Sequence, residues 1–427
     1  MPASVPNVGV RTYLDRTEKV PVVIADMSTI GGVFTPGTGI DRSKFPIDMP
    51  VHFTTDDAEM TAAAGTGTLK QTIEACNYMG IIASIVAVVP NILVGDTADQ
   101  QMAKMVGDSV AKTGAWALEL AQAETGVIPD LLIAPDYAHL RPLSAANPIV
   151  TVFDALCEKL ITPMAIVDTP SANKTVAAEY AADWDESLNV IAIGQGARVS
   201  VGGVPVTRAS APYVAALMAK TDKQMGGPYY SPGNRPLSGI LGPSRAVTCN
   251  YSDPDSEHNW LAQRGVNSIV QLERNRTSRS VNSPQGKMFW GFFTTSSDPL
   301  WRLINVIRTR KAVREAIPRA LVRYMGQNIG SHLAVVIRQS VLDFLGELAS
   351  LPEPAILPGY EVRWDRDLNS NAVLRLGGLI FNVNYEESPA LVDLQLYMGR
   401  REASFDILAS EIQAAMAQFN VGGQLPA

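Results

Sequence analysis

The feature that most narrows the fold is a rhythm in the first half of the chain. Short apolar runs at 81–89, 127–135, 164–168 and 189–193 alternate with longer amphipathic stretches at 97–124, 149–161 and 173–183. Runs this short and this apolar suit strands buried on both faces of a sheet, while the amphipathic stretches carry helical spacing. Strand, helix, strand in this order predicts an α/β layer with a mainly parallel sheet, because parallel neighbours need a crossover connection. Apolar phrases at 21–25 and 45–54 predict further strands. The Gly- and Thr-rich residues 27–39 and the Gly-rich residues after Ile193 are read as loops.

The second half is organised differently. Residues 212–242 open with a helical phrase and then pass through Gly226-Gly227-Pro228, Ser231-Pro232-Gly233 and Pro236, a path set by proline and glycine. Ser297-Asp298-Pro299 is a helix start, and Leu300, Leu303, Ile304, Ile307 and Val313 give the helix after it an apolar side. Pro318 is expected to kink or break that helix near Ile317. A second apolar helix follows at 329–349. Strands are expected at 359–364, 372–380 and 381–386, and at 392–398, where the alternation is clean and predicts a hairpin or split pair with 381–385. Residues 404–419 read as helix.

A chain of 427 residues exceeds one ordinary core, so two or three domains are expected. The division predicted is an extended arm at 1–20, an α/β body at 21–211 with an inserted middle region from about 100, a hinge at 212–242, a C-terminal α/β domain at 243–400 and an arm or tail at 401–427. The class is a multidomain α/β to α+β protein. A net charge of −7 argues against a general nucleic-acid coat. Cys76, Cys157 and Cys249 are odd in number and widely spaced, which makes neither a disulfide framework nor a zinc signature. The longest apolar run, 79–94, is broken by Pro90 and Asn91, and a soluble chain is expected.

The enzymatic reading rests on Asp136, His139 and Asp168, because Asp136 and Asp168 sit at the C-terminal ends of expected strands, where α/β enzymes keep their sites. No nucleophile, metal cluster or cofactor fingerprint accompanies them, so an α/β hydrolase is the alternative rather than the expectation. The bland reading of each Asp is a cap at a strand-to-helix turn. Ser252 to His258 lacks the spacing of a calcium loop and reads as a turn. No cofactor and no metal are expected.

Several phrases resemble contractile phage tail sheath proteins, including the sheaths of R-type tailocins. In 212–242 a small-residue helix (Ala215, Ala216, Ala219), Asp222, Gly226, Tyr229, Ser231-Pro232 with Asn234, and Leu237-Ser238-Gly239 follow in the family's order. Phe45-Pro46 with Pro50-Val51 and Thr54, the helix opening at Gly67-Thr68-Leu69, and Gly265-Val266-Asn267 are similar to other family phrases. Trp290-Gly291 resembles the family's strand too, with Phe292-Phe293 in place of its usual Arg.

The resemblance implies a structural protein, not an enzyme. Its subunits would stack as six-fold rings around an inner tail tube, bounded by baseplate and terminator proteins, and contract to drive the tube through a host envelope. It would belong to the virion tail, assembled in the host bacterial cytoplasm, without membrane insertion or direct nucleic-acid contact. Subunits would be linked by exchanged strands: an N-terminal arm with Val8, Val10, Tyr13 and Leu14, a small sheet with Phe381, Val383, Tyr385, Val392, Leu394 and Leu396, and a C-terminal arm with Phe405, Leu408 and Glu411. Arg302, Arg308, Arg310, Lys311 and Arg314 form a basic helix face. It is expected to dock on a neighbour's acids, chosen from Glu386, Glu387, Asp393, Glu402, Asp406 and Glu411.

Overall fold

In a computed structural model the described residues are 22, 24, 26–250, 252–272 and 286–421. The chain divides into two compact units, Met1–Ala390 and Leu391–Ala427.

The first unit is built on strands β1 (Ile30–Val33), β2 (Val51–Thr54), β3 (Ser84–Val88), β4 (Leu131–Ile133), β5 (Met164–Asp168), β6 (Val190–Ile193), β7 (Ala197–Val201), β8 (Val204–Arg208), β9 (Arg235–Pro236), β10 (Gly242–Pro243), β11 (Val266–Leu272), β12 (Gly286–Trp290), β13 (Glu361–Trp364) and β14 (Phe381–Asn384). Nine of these make the main sheet, in the order β2-β3-β1-β4-β5-β6-β11-β12-β9. Its centre, from β3 through β11, is parallel, and antiparallel strands close both sides. The parallel layer expected from the rhythm is therefore present, and β11 and β12, from beyond residue 242, complete the same sheet.

Side chains alternate between the faces with period two. Ile85 and Ala87 enter one core, with Leu69, Ile73, the Ala211–Met225 helix and Ile307. Val86 and Val88 enter the other, with Met102, Phe153, Leu156 and Tyr180. Helices on both faces explain why the central strands read as unbroken apolar runs. The Ala211–Met225 helix is buried on every side from Ala211 to Ala219, where alanines let neighbouring backbones come close. Residues 212–242 thus begin inside the core.

Three readings of the first half change. Residue 22 and residue 24 carry no strand, and β1 lies in the stretch read as loop. Its Gly31 and Gly32 are structural: a Cβ on Gly31 would stand 2.3 Å from Pro129 Cβ, and one on Gly32 2.6 Å from the Ile133 carbonyl oxygen. Glycine there marks close approach, not a turn. The Gly-rich loop after Ile193 is the β7–β8 hairpin, with Gly202 and Gly203 both at positive φ (58° and 86°) in its two-residue turn.

The Ile304–Leu321 helix passes through Pro318 without the expected break. Pro318 and Arg314, four residues before it, are both exposed, so water can serve the carbonyl that the missing N–H leaves free. Ile304 and Ile307 of this helix belong to the main core. Val313 and Ala316 belong to a further cluster with Val341, Phe344, Leu345 and Val362. Residues 372–375 of the strand expected at 372–380 belong instead to the Asn371–Arg375 helix, capped by Ser370.

The second unit holds the Ala403–Val421 helix, whose side chains are exposed through residue 418.

Candidate functional site

The enzymatic candidates do meet. Asp136, His139 and Asp168 line a cavity of about 220 Å³ at the C-terminal ends of β4, β5 and β6, with Ser171, Thr207 and Arg208. Asp168 is fully engaged, however. It accepts from the Ser210 N–H at 2.9 Å and the Ala211 N–H at 3.2 Å, and lies against the Ser210 hydroxyl. It holds the start of the buried Ala211–Met225 helix, 42 residues on, while Asn173 caps the helix after its own strand, where the cap was expected. Burial pushes its pKa up, and these donors oppose the shift. Arg208 is paired with Glu74 at 2.7 Å. Among the described residues no hydrogen bond joins His139 to either Asp, so no base–nucleophile relay is assembled. Ser252 to His258 forms a hydrogen-bonded turn in which Ser256 Oγ is 2.8 Å from Asp253 O and from buried His258 Nδ1. The described residues contain no group of three or more His, Cys, Asp and Glu able to hold a metal ion.

The assembly candidates sit elsewhere. Val8, Val10, Tyr13 and Leu14 lie outside the described residues. β13 and β14 form a two-stranded antiparallel sheet, with Val362 opposite Val383 and Trp364 opposite Phe381. One face packs on the Ser331–Ala349 helix through Val362, Phe381, Val383 and Tyr385. Among the described strands nothing else pairs with this sheet, so an edge of each strand stays open, the template that strand addition needs. β14 pairs with β13, not with 392–398, which departs from the expected hairpin. Residues 391–400 form no strand, and Leu394 and Leu396 are 67% and 73% exposed. An alternating sequence specifies a strand but not its partner. Phe405, Leu408 and Glu411 lie exposed on the Ala403–Val421 helix.

The basic helix departs most from expectation. Arg308 and Lys311 are buried. Arg308 binds Asp222 in a two-point pair, Nη1 to Oδ1 at 2.8 Å and Nη2 to Oδ2 at 2.7 Å, and Nη2 also donates to the Met27 carbonyl at 2.8 Å. Lys311 donates to the Pro163 carbonyl at 2.6 Å, and desolvation lowers its pKa. Arg310 bonds Glu387 at 2.9 Å and stacks over Tyr385. Arg302 covers the Phe293 ring and donates to the Ala262 carbonyl at 2.8 Å. These four cations are engaged within their own subunit; Arg314 is exposed. The physical reason is placement: Arg308 and Lys311 follow Ile304 and Ile307 on the buried side, where a charge must have a partner.

Asp222 was singled out only as part of a pattern, and Asn305 not at all. Asn305 Nδ2 donates to the Ser388 carbonyl at 2.9 Å. A signal for Asp222 exists. It follows buried Ala215, Met218 and Ala219 at spacings of seven, four and three, on one helix face.

No family model matches the chain. A prophage protein of Pseudomonas aeruginosa (strain UCBPP-PA14), named as a major tail sheath protein, is 27% identical over 376 residues, covering 86% of this chain and 89% of that one. The tail sheath protein of Escherichia phage P2 is 22% identical, over 88% of this chain and 91% of that one. Along most of its length the chain is similar to contractile tail sheath proteins. Solved structures agree in fold. The contracted sheath of the extracellular contractile injection system PVC superposes with a TM-score of 0.66 at 16% identity, covering 93% of this chain and 98% of that one. The contracted helical sheath of the anti-feeding prophage gives 0.64 at 18% identity, covering 93% and 99%.

Proposed function

We propose that this chain is the sheath subunit of a contractile tail. It polymerises around an inner tube and contracts to drive that tube through a cell envelope. Relationship to sheath proteins along most of the chain supports the reading. The observation that carries it is the pairing of an open two-stranded sheet with an exposed alternating segment, 392–398, in the same polypeptide. A segment that encodes a strand and has no strand partner among the described residues fits donation to the open edge of another subunit. Because a donor on one subunit and an acceptor on the next form a heterologous contact, the product is a helix or stacked rings rather than a closed dimer.

In this reading the two ends of the chain link neighbours while the bodies rotate between an extended and a contracted packing, two states of one lattice. The inner tube, baseplate and terminator are the expected partners, and assembly takes place in the bacterial cytoplasm. Any chemistry of the Asp136–His139 cavity is secondary to this role, since Asp168 serves the fold.

Negative-stain microscopy of purified protein is the test. Long tubes are expected. A small closed oligomer would overturn the proposal. Removing residues 1–20 should leave folded subunits that form no sheath; normal contractile tubes from the truncated protein would remove the N-terminal arm from the scheme.

A further inference from the structure

The Ile304–Leu321 helix grips residues close to both ends of the folded body. From its first turn, Asn305 Nδ2 donates to the Ser388 carbonyl at 2.9 Å, and the Ala390 N–H donates to Asn305 Oδ1 at 3.4 Å. One amide thus serves a carbonyl and an N–H of the extended chain, as a strand edge would. Ala390 is the last residue of the first unit. Arg310 adds two contacts just upstream, the Glu387 carboxylate at 2.9 Å and the Tyr385 ring face with its guanidinium carbon 4.4 Å from the ring centre. Between them, Arg308 takes the Met27 carbonyl at 2.8 Å while its charge is fixed by Asp222. Asn305, Arg308 and Glu387 are all nearly inaccessible to water. Three residues within the six successive positions 305 to 310 therefore hold residue 27 and residues 385–390, which are far apart in sequence.

We propose that this helix is a yoke that couples the two inter-subunit arms, with Asn305, Arg308 and Arg310 as positioning residues that fix where each arm leaves the body. The inference rests on the sheath reading above. Tension on a strand lent to a neighbour enters the body at 388–390, is taken up by Asn305 and Arg310, and reaches the N-terminal root at Met27 through less than two turns of helix. The helix is rigid and its first turns lie in the main core, so the two roots keep a fixed separation while whole bodies reorient.

The test separates positioning from mere stability. Asn305→Ala and Arg310→Met release the C-terminal root. Val341→Ala opens a cavity in the cluster around Phe344 and Leu345 and removes none of the hydrogen bonds that hold either root. Arg310→Lys keeps the charge opposite Glu387 and loses the planar stacking. Thermal melts of dilute protein rank the stability losses, and pelleting with microscopy reads assembly. The expected result is that Asn305→Ala and Arg310→Met lower the sheath yield at least tenfold. Val341→Ala, with an equal or larger drop in melting temperature, should still build sheaths, and Arg310→Lys should recover part of the yield. Should Asn305→Ala or Arg310→Met fail to fold, Arg310→Lys carries the comparison with Val341→Ala. Equal yields for root and cavity variants at matched stability would overturn the yoke. Absence of tubes from the unmodified protein in the same experiment would instead overturn the sheath reading on which it stands.

Discussion

Removing Asp222 should be more damaging than removing Arg308, and the difference should depend on pH. The two groups form a two-point pair with both side chains out of solvent. Breaking a buried pair from one side costs about 3–5 kcal/mol, because the charge left behind is uncompensated. Asp222→Ala leaves a guanidinium that cannot shed its proton, so the whole of that cost should appear. Arg308→Met leaves a carboxylate that can. Burial already pushes the Asp222 pKa up, to about 6, against the pull of Arg308.

Without Arg308 that pKa rises further, and a native pKa above the unfolded value means the folded state holds the proton more tightly. Stability of Arg308→Met is therefore highest in acid and is lost as pH rises through the native pKa. At pH 7 its deficit should be about 2–4 kcal/mol, including about 1–3 kcal/mol for the orphaned Met27 carbonyl. At pH 5 the deficit should shrink by about 1 kcal/mol or more, since each pKa unit is worth about 1.4 kcal/mol. The double change Asp222→Leu with Arg308→Met should lose only the Met27 bond and so lie closer to the unmodified protein than Asp222→Ala does. Urea melts followed by circular dichroism at both pH values supply the numbers. If the two single changes cost the same at pH 5 and pH 7, or if the double change costs their sum, the pair is not the buried unit described here.

Other measurements bear on separate parts of the molecule. Asp130 is buried, accepts from the Thr29 N–H at 3.2 Å, and has its pKa pushed up to about 7 by burial. Its contribution to stability is greatest in acid and falls as pH rises through about 7, so Asp130→Asn should flatten melting temperature against pH between about 4 and 8; parallel curves would refute this. Leu394→Asp with Leu396→Asp changes exposed positions, so monomer stability should move by less than about 0.5 kcal/mol while tubes disappear from micrographs. Tubes of normal yield would remove 392–398 from the assembly. Arg314 remains a candidate for docking on a neighbour. Arg314→Glu together with Glu411→Arg should assemble better than either change alone, and no recovery would discard that pairing.

The parallel layer was legible because its cause is local: the strands Met164–Asp168 and Val190–Ile193 are buried on both faces, and the run of apolar residues records it directly. β1 was not legible, since Gly31 and Gly32 are required by what lies across from them, and composition cannot distinguish that from a turn. The β7–β8 hairpin was legible and misread, for Gly202-Gly203 between valines is a strong turn signal. The pairing of β14 depended on which edge was available, information that alternation does not carry. The basic helix shows a further limit. Five cations on one expected helix suggest an outward face, yet counting four residues on from Ile304 and Ile307 places Arg308 and Lys311 inward, and Asp222 on the buried face of its own helix is the matching half. The two charges are 86 residues apart, and nothing local couples them.

That separation also sets an order of events during synthesis. The helix around Asp222 cannot be buried comfortably until Arg308 has emerged from the ribosome, and the Met27 carbonyl, 281 residues upstream of that arginine, finds its donor only at the same moment. The nascent body therefore stays open until about three-quarters of the polypeptide exists. On the yoke proposal, a subunit made this way would gain a fixed N-terminal root only after the helix that also anchors its other end is complete, and a half-made chain would lack both roots needed to join a growing tail.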